Sequence, residues 1–212
     1  MTRADLAVTT LLFDIGGVLV ELDGVPTLAK LMTLEGASPD AIHERWMQSA
    51  AVIAYETGQI SATAFAAAAV AEFQLAVTAE WFLDAFNEWP RCLQPGALEL
   101  LDDIPKRYRL AALSNTSVSH WERIEAMGLA HRFERLYLSH RIGRLKPSRQ
   151  AFETALEDLA VAPSAVLFLD DIQSNVASAR ALGLHAEVVA NPREARIALE
   201  QYGVLQSAKS SR

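Results

Sequence analysis

The stretch TTLLFDIGGVLVELD, residues 9–23, decides the fold because it joins a buried strand to an acidic end. Residues 11–13 are a continuous apolar run, which is typical of a parallel strand covered on both faces. The run ends at Asp14, and the glycines at positions 16 and 17 allow the chain to turn sharply. The sequence therefore predicts a strand that delivers the Asp14 carboxylate to one edge of a sheet.

Apolar runs of the same kind recur along the chain, and helical patterns separate them. Strands that alternate with helices of this length form parallel βαβ units. The sequence therefore predicts an α/β fold with a doubly wound, Rossmann-like parallel sheet. Its expected strands are residues 10–15, 108–115, 134–140, 165–171 and, with a weaker pattern, 185–190.

The region between the first two strands breaks this alternation, because it looks almost wholly helical. Four helices are too many for one crossover, so we expect a helical cap of residues 23–90 inserted into a core domain of residues 1–22 and 91–212. Proline and glycine concentrate at residues 21–26 and 89–96, which are the expected hinges. The predicted cap helices are residues 25–36, 38–58, 61–74 and 78–89.

The composition excludes several classes of function. The 212-residue chain has a net charge of −7, which argues against nucleic acid or an anionic membrane as a partner. Cys92 is the only cysteine, so an internal disulfide and a cysteine-based zinc cluster are excluded. No uncharged apolar stretch reaches the roughly 18 residues needed to span a bilayer. We expect a cytoplasmic protein.

Polar residues stand where the predicted strands end. Ligands of open parallel sheets bind beyond the carboxyl ends of the strands, so these residues are expected to meet. Each has a plain structural alternative, because acids and hydroxyls also cap helices and lysines are usually solvated. Together they supply carboxylates, a hydroxyl and an amine at one edge: Asp14, Ser114, Lys146 and the pair Asp170-Asp171.

This set of side chains has a chemical meaning. Converging carboxylates repel one another and need a cation, and oxygen ligands without a histidine or cysteine cluster favour Mg²⁺. An aspartate such as Asp14 can attack phosphorus and form an aspartyl-phosphate. Ser114 and Lys146 can hold the nonbridging oxygens of the transferred group. The sequence thus predicts Asp14, Ser114 and Lys146 as catalytic residues.

The ordered motifs Asp14, Ser114, Lys146-Pro147 and Asp170-Asp171 resemble the haloacid dehalogenase (HAD) superfamily, and the likeness covers nearly the whole chain. Most members are Mg²⁺-dependent phosphatases, and the inserted helices resemble the C1 cap of that superfamily. The resemblance implies a small-molecule phosphate ester as substrate and a monomer or homodimer.

The resemblance also implies a role for each residue. Asp14 is the nucleophile and a metal ligand, and Gly16 offers its backbone carbonyl to the metal. Asp170 and Asp171 complete the metal site, with Asp171 favoured as the direct ligand. In the same resemblance, phosphate is bound by Ser114, Asn115 and Lys146. Asn175 supports the loop.

Gly16 departs from the usual pattern, because most phosphatases of this superfamily carry a second aspartate there as general acid and base. FDIGGVLVELD resembles a bacterial branch that includes sugar-1-phosphate phosphatases, whose leaving groups need less protonation. Alternatively, Glu21, Asp23 or a cap residue supplies the base. The cap loop YETGQIS, with Tyr55, Glu56 and Gln59, is the candidate specificity segment.

Two other functions remain open from the sequence. A 2-haloacid dehalogenase attacks carbon without a metal, but the paired acids Asp170-Asp171 make little sense without a cation. A non-catalytic binding or regulatory domain agrees with Gly16 but not with retention of the other polar residues. His140, near the end of the third predicted strand, is the histidine expected closest to the site.

Overall fold

A computed structural model describes residues 7–31 and 38–206 of the chain. The end of the first predicted cap helix lies outside these residues. Seven strands are described: β1 (Thr10–Phe13), β2 (Val20–Leu22), β3 (Pro90–Leu93), β4 (Arg109–Ser114), β5 (Arg135–Leu138), β6 (Val166–Asp170) and β7 (His185–Val188).

Five of these strands form one sheet in the order β5-β4-β1-β6-β7, and every neighbouring pair is parallel. The expected α/β fold with a doubly wound parallel sheet is confirmed. All five predicted strands are present, and their bounds differ from the predicted ones by one or two residues at most ends. We call the edge formed by the carboxyl ends of these strands the rim.

Eleven helices of four or more residues lie in the described part of the chain. Those before β3 are α1 (Gly24–Leu31), α2 (Pro39–Met47), α3 (Ala50–Glu56), α4 (Ala62–Glu72) and α5 (Ala79–Asn87). Those after β3 are α6 (Ala97–Asp103), α7 (Val118–Glu125), α8 (Ser139–Ile142), α9 (Arg149–Leu159), α10 (Gln173–Ala181) and α11 (Pro192–Gln201).

Alternate residues of the central strands face opposite layers of helices, as the pleat of a strand requires. In β1, Leu11 and Phe13 join an apolar cluster with Leu100 of α6, Trp121 of α7 and Leu199 of α11. The intervening residue faces the other layer, where a second cluster contains Leu12, Phe152, Phe168 and Val176. The central strands are therefore covered on both faces, which explains their continuous apolar runs.

The helices α1 to α5 enclose an apolar cluster of their own. Trp46, Phe65 and Phe86 lie at its centre, and the ring centroids of Phe65 and Phe86 are 4.8 Å apart. The prediction of a single helix over residues 38–58 is wrong, because this region contains two helices, α2 and α3. The reason is Ser49, whose Oγ caps α3 by accepting from the backbone N–H of Val52.

A two-stranded antiparallel ribbon, which the sequence patterns did not predict, joins the two regions. Val20 of β2 is paired with Leu93 of β3, and Leu22 with Pro90. The two expected hinges thus contain two strands that pair with each other. The proposed domain division, after residue 22 and after residue 90, coincides with this ribbon and stays a prediction. Among residues 7–31 and 38–206, no helix has the length and apolar character required to cross a membrane.

Candidate active site at the rim

Asp14 and Asp170 reach the rim side by side because β1 and β6 are paired in register. Phe13 lies opposite Leu169, and the backbone N–H of Asp14 donates to the carbonyl of Leu169 at 2.8 Å. Asp170 is the last residue of β6, and Asp14 directly follows β1. Both carboxylates therefore leave the sheet at the same level.

Lys146 lies between these two acids. Its Nζ is 2.9 Å from Oδ1 of Asp14 and 2.7 Å from Oδ2 of Asp170. The side chains of Lys146 and Asp170 are almost completely buried, at 1% and 0% exposure. Burial alone lowers the pKa of the ammonium, but the two carboxylates raise it more, so the net direction is upward. Lys146 is therefore a buried cation.

Asp171 completes a cluster of carboxylates. One oxygen from each of Asp14, Asp170 and Asp171 lies within 4.8 Å of the others. Gly17 makes this approach possible, because a Cβ on it would lie 2.1 Å from Oδ2 of Asp171. The φ of Gly17 is +75°, which is also a conformation that side-chain-bearing residues rarely adopt. The glycine is thus required both by its backbone and by its neighbour.

Two acids of this cluster, Asp14 and Asp171, hold their protons more tightly than isolated acids. Burial raises the pKa of Asp14 to about 6, with Lys146 lowering it and Asp170 raising it further. Burial, Asp14 and Asp170 together raise the pKa of Asp171 to about 7. One ammonium therefore does not neutralise the three carboxylates. A divalent cation held by oxygen atoms fits this donor set, and Mg²⁺ is such a cation.

Asp170 and Asp171 have different surroundings, although they are adjacent. The oxygens of Asp170 accept from Lys146, from the amide of Asn175 at 3.0 and 3.1 Å, and from the backbone N–H of Ile172 at 2.7 Å. Asp171 instead lines the cavity at the rim. The expectation that Asp171 ligates a metal directly stays a prediction, and so does the loop-supporting role of Asn175, which here orients Asp170.

The side chain of Asn115 is paired with the backbone of Lys146. Its Oδ1 accepts from the Lys146 N–H at 2.8 Å, and its Nδ2 donates to the Lys146 carbonyl at 2.9 Å. Sequence reasoning assigned Asn115 to phosphate and missed this contact, which positions the buried cation. Ser114 is itself buried at the end of β4 and lines the same cavity. The phosphate-binding roles of both residues stay predictions.

A cavity of about 860 Å³ lies between the rim and helices of the cap region. Of the candidate cap residues, Glu56 lines it. Tyr55 instead stacks on Phe65 with ring centroids 4.5 Å apart, and the Gln59 amide donates to Thr57. From the rim the lining residues include Asp14, Gly16, Ser114, Asn115, Lys146, Asp171 and Asn175.

The histidine expected closest to the site is not among those that line the cavity. His140 is half-buried, and its Nδ1 is 3.0 Å from the Thr116 carbonyl, outside the cavity lining. His43 and His120 line the cavity instead. The two acids proposed as a substitute base also differ, because Glu21 lines the cavity while Asp23 lies 3.5 Å from Arg91 at the surface.

The chain matches a known protein family and two named phosphatases in sequence. A sequence profile of haloacid dehalogenase-like hydrolases matches residues 8–183. A D-ribitol-5-phosphate phosphatase of Bacteroides thetaiotaomicron is 28% identical over 187 residues, which are 83% of this chain and 89% of that protein. A glyceraldehyde 3-phosphate phosphatase of Methanothermobacter thermautotrophicus is 29% identical over 92 residues, which are 42% of this chain and 41% of that protein.

A solved structure is similar in fold. A haloacid dehalogenase family enzyme of Bacteroides thetaiotaomicron, in complex with magnesium and inorganic phosphate, matches with a TM-score of 0.69 and 25% identity. The match covers 86% of this chain and 95% of that enzyme. The chain therefore belongs to the haloacid dehalogenase-like hydrolases. Because its relatives include two named phosphatases, the chain is an enzyme of the phosphoric monoester hydrolase type.

Proposed function

We propose that this enzyme is a Mg²⁺-dependent phosphatase that hydrolyses a small phosphate ester through a covalent aspartyl-phosphate on Asp14. The observation that carries the proposal is the contact of Asp14 with Lys146 inside a cluster of carboxylates. The ammonium of Lys146 keeps one acid anionic and oriented in a setting that would otherwise favour its protonated form. An anionic Asp14 at the edge of a cavity is able to attack an incoming phosphoryl group.

The other residues act on the phosphoryl group and on the cation. Ser114, Asn115 and Lys146 are proposed to bind the nonbridging oxygens. The carboxylates of Asp14, Asp170 and Asp171 and the carbonyl of Gly16 are proposed to hold Mg²⁺. When bound, Mg²⁺ neutralises negative charge on the oxygens of the transferred group. Asn175 and Asn115 keep Asp170 and Lys146 in place through the hydrogen bonds described above.

The substrate is proposed to be a phosphate ester of a sugar or polyol. Two relatives are named for D-ribitol 5-phosphate and glyceraldehyde 3-phosphate, which are both small phosphorylated polyhydroxy compounds. A cavity of about 860 Å³ lies within the size range of small-molecule sites, which supports the proposal. A sugar phosphate or a polyol phosphate is therefore the substrate class to screen first.

The decisive experiment measures phosphate release with and without Mg²⁺ from a set of phosphate esters. We expect Mg²⁺-dependent release by the wild type and a loss of at least about 10³-fold in Asp14→Asn, because the amide cannot act as the nucleophile. The matched control is Asp84→Asn, which makes the same change at an exposed position of α5. That control should retain full activity.

Each outcome of this experiment has a clear meaning. Full activity in Asp14→Asn would disprove the assignment of the nucleophile. If the wild type releases phosphate from none of the esters and halide from no 2-haloacid, the non-catalytic alternative is favoured, in which Gly16 marks a domain that has lost turnover. Release of halide from a 2-haloacid without Mg²⁺ would instead identify a dehalogenase.

A further inference from the structure

Glu56, the last residue of α3, is a buried acid. Its side chain is 8% exposed, and its Oε2 is fully enclosed with no hydrogen-bond partner among the described residues. Burial raises the pKa of this carboxyl to about 7. An unbonded buried carboxyl costs folding free energy, so stability does not explain its presence. The residue also lines the cavity that contains Asp14.

Two contacts on either side of Glu56 hold it against the rim. The hydroxyl of Tyr55 lies 3.1 Å from Oγ of Ser119, which is in the first turn of α7, after β4. On the other side, a Cβ on Gly58 would lie 2.5 Å from the backbone carbonyl oxygen of His140 in α8, after β5. The loop therefore approaches the core at a distance that only glycine permits. The segment that contains Glu56 is therefore held against α7 and α8, the helices that follow β4 and β5.

The other acids that line the cavity have different surroundings. Glu44 is exposed, and its Oε1 accepts from the Gln48 amide at 3.1 Å. Glu21 is exposed and lies 3.6 Å from the thiol of Cys92. Asp14 and Asp171 belong to the carboxylate cluster. Among the described residues that line the cavity, Glu56 is thus the buried acid that lies outside the carboxylate cluster and has no hydrogen-bond partner.

We propose that Glu56 is the general acid and base of this enzyme, in place of the acid that is absent at Gly16. The inference rests on the proposed phosphatase function. In the first step, Asp14 forms a bond to phosphorus, the bond from phosphorus to the leaving oxygen breaks, and Glu56 gives its proton to that oxygen. In the second step, water attacks phosphorus, the bond to Asp14 breaks, and the water proton returns to Glu56.

A carboxyl in this role widens the range of substrates. An ordinary alkoxide is a poor leaving group, so its departure depends strongly on protonation. An enzyme without an acid would be limited to esters with good leaving groups, such as anomeric or aryl phosphates. With Glu56 as the acid, phosphate esters of simple sugar and polyol hydroxyls become substrates as well.

The test compares Glu56→Gln with the wild type on two esters, a primary alkyl phosphate and p-nitrophenyl phosphate. Nitrophenolate leaves without a proton, so the first turnover of that ester should be little changed. Its later turnovers should slow because the base is missing, which gives a burst of one nitrophenolate per enzyme. The first turnover of the alkyl ester should fall by about 10²–10⁴-fold, the usual contribution of general acid catalysis.

Glu72→Gln is the matched control, since Glu72 also ends a cap helix. Its carboxylate accepts a hydrogen bond of 2.8 Å from Ser49 Oγ, and the residue does not line the cavity. It should behave as the wild type with both esters.

Equal losses of first-turnover rate on both esters in Glu56→Gln would overturn the inference, as would a change in KM alone. If the wild type with Mg²⁺ cleaves neither of these esters nor any sugar or polyol phosphate of the first screen, both the proposed function and this inference fail. If Asp14→Asn is inactive but Glu56→Gln shows no difference between esters, the inference fails alone.

Discussion

The ammonium of Lys146 touches Asp14 and Asp170, and almost none of it reaches solvent. A buried lysine is stable here only because carboxylates on two neighbouring strands compensate the loss of hydration. The same contact orients Asp14, since its oxygens are held by Lys146 and by the backbone N–H of Ile15 at 2.7 Å. A single residue thus serves both folding and the proposed chemistry.

Gly17 gives a prediction at the scale of the residue. In Gly17→Ala the new methyl group would displace Asp171, so the Mg²⁺ concentration for half-maximal activity should rise by roughly 10- to 100-fold, as for other losses of ligand support. Titration of activity with Mg²⁺ measures this change.

Gly128→Ala is the control for backbone strain. The φ of Gly128 is +78°, close to that of Gly17, and the nearest atom to its Cβ is 4.0 Å away on His131. It should lose roughly 1–2 kcal/mol of stability without a change in Mg²⁺ affinity. Equal Mg²⁺ affinities of the two variants would contradict the role assigned to Gly17.

At the scale of the elements, α5 and α7 meet through His120. The ring of His120 stacks on Phe86 with centroids 4.0 Å apart, and its Nε2 donates to the Phe86 carbonyl at 2.7 Å. Burial lowers the pKa of His120 to about 4, with the hydrogen bond to Phe86 acting in the opposite direction. The imidazole is therefore neutral at neutral pH, and it joins a helix of the cap region to a helix of the core.

The lowered pKa of His120 predicts how stability depends on pH. Between pH 6.5 and about 4 the unfolded chain binds a proton at this residue and the folded chain does not, so stability falls as pH falls through this window. We expect a smaller fall in His120→Gln than in the wild type. Urea unfolding at pH 7.5, 6 and 5 measures the difference.

His131→Gln is the control for this experiment, because His131 is an exposed histidine of the same chain. Its loss of stability on acidification should equal that of the wild type. If stability falls equally in all three proteins on acidification, the lowered pKa of His120 in the folded chain is contradicted.

At the scale of the whole molecule, the carboxylate cluster lies where two parts of the chain meet. The sheet contributes its acids to one side of the cavity, and the separate apolar cluster around Phe65 supports the other side. Excess negative charge in the cluster opposes folding unless a cation neutralises it. Mg²⁺ that binds only the folded chain is therefore expected to stabilise the whole molecule.

Thermal unfolding tests this expectation without reference to activity. At a Mg²⁺ concentration of 100 Kd, binding adds about 2.7 kcal/mol. For a chain of this size the midpoint should then rise by about 5–10 °C. Calorimetry with Mg²⁺ and with KCl at equal ionic strength measures the shift. In Asp171→Asn the shift should largely disappear, and an unchanged shift would show that Asp171 is no ligand.

The sequence by itself determined the class of fold and the residues that reach the rim. The reason is local, because a buried strand is an apolar run and its end is marked by the first charged residue, as at Asp14 and Asp170. The five strands of the parallel sheet were also predictable from such patterns, whereas β2 and β3 were not. The cytoplasmic location, the oligomeric state and the domain boundaries stay predictions.

Tertiary structure alone decided which groups meet across large separations in sequence. Three features depend on chain segments that only folding brings together. They are the pairing of β2 with β3, the hydrogen bond between Asn115 and the backbone of Lys146, and the burial of Glu56 Oε2 without a partner among the described residues. Burial has the same origin, because a neighbour excludes water only once the chain is packed. The sequence shows that Gly16 lacks a carboxyl, but the burial of Glu56 beside the same cavity is a property of the folded molecule.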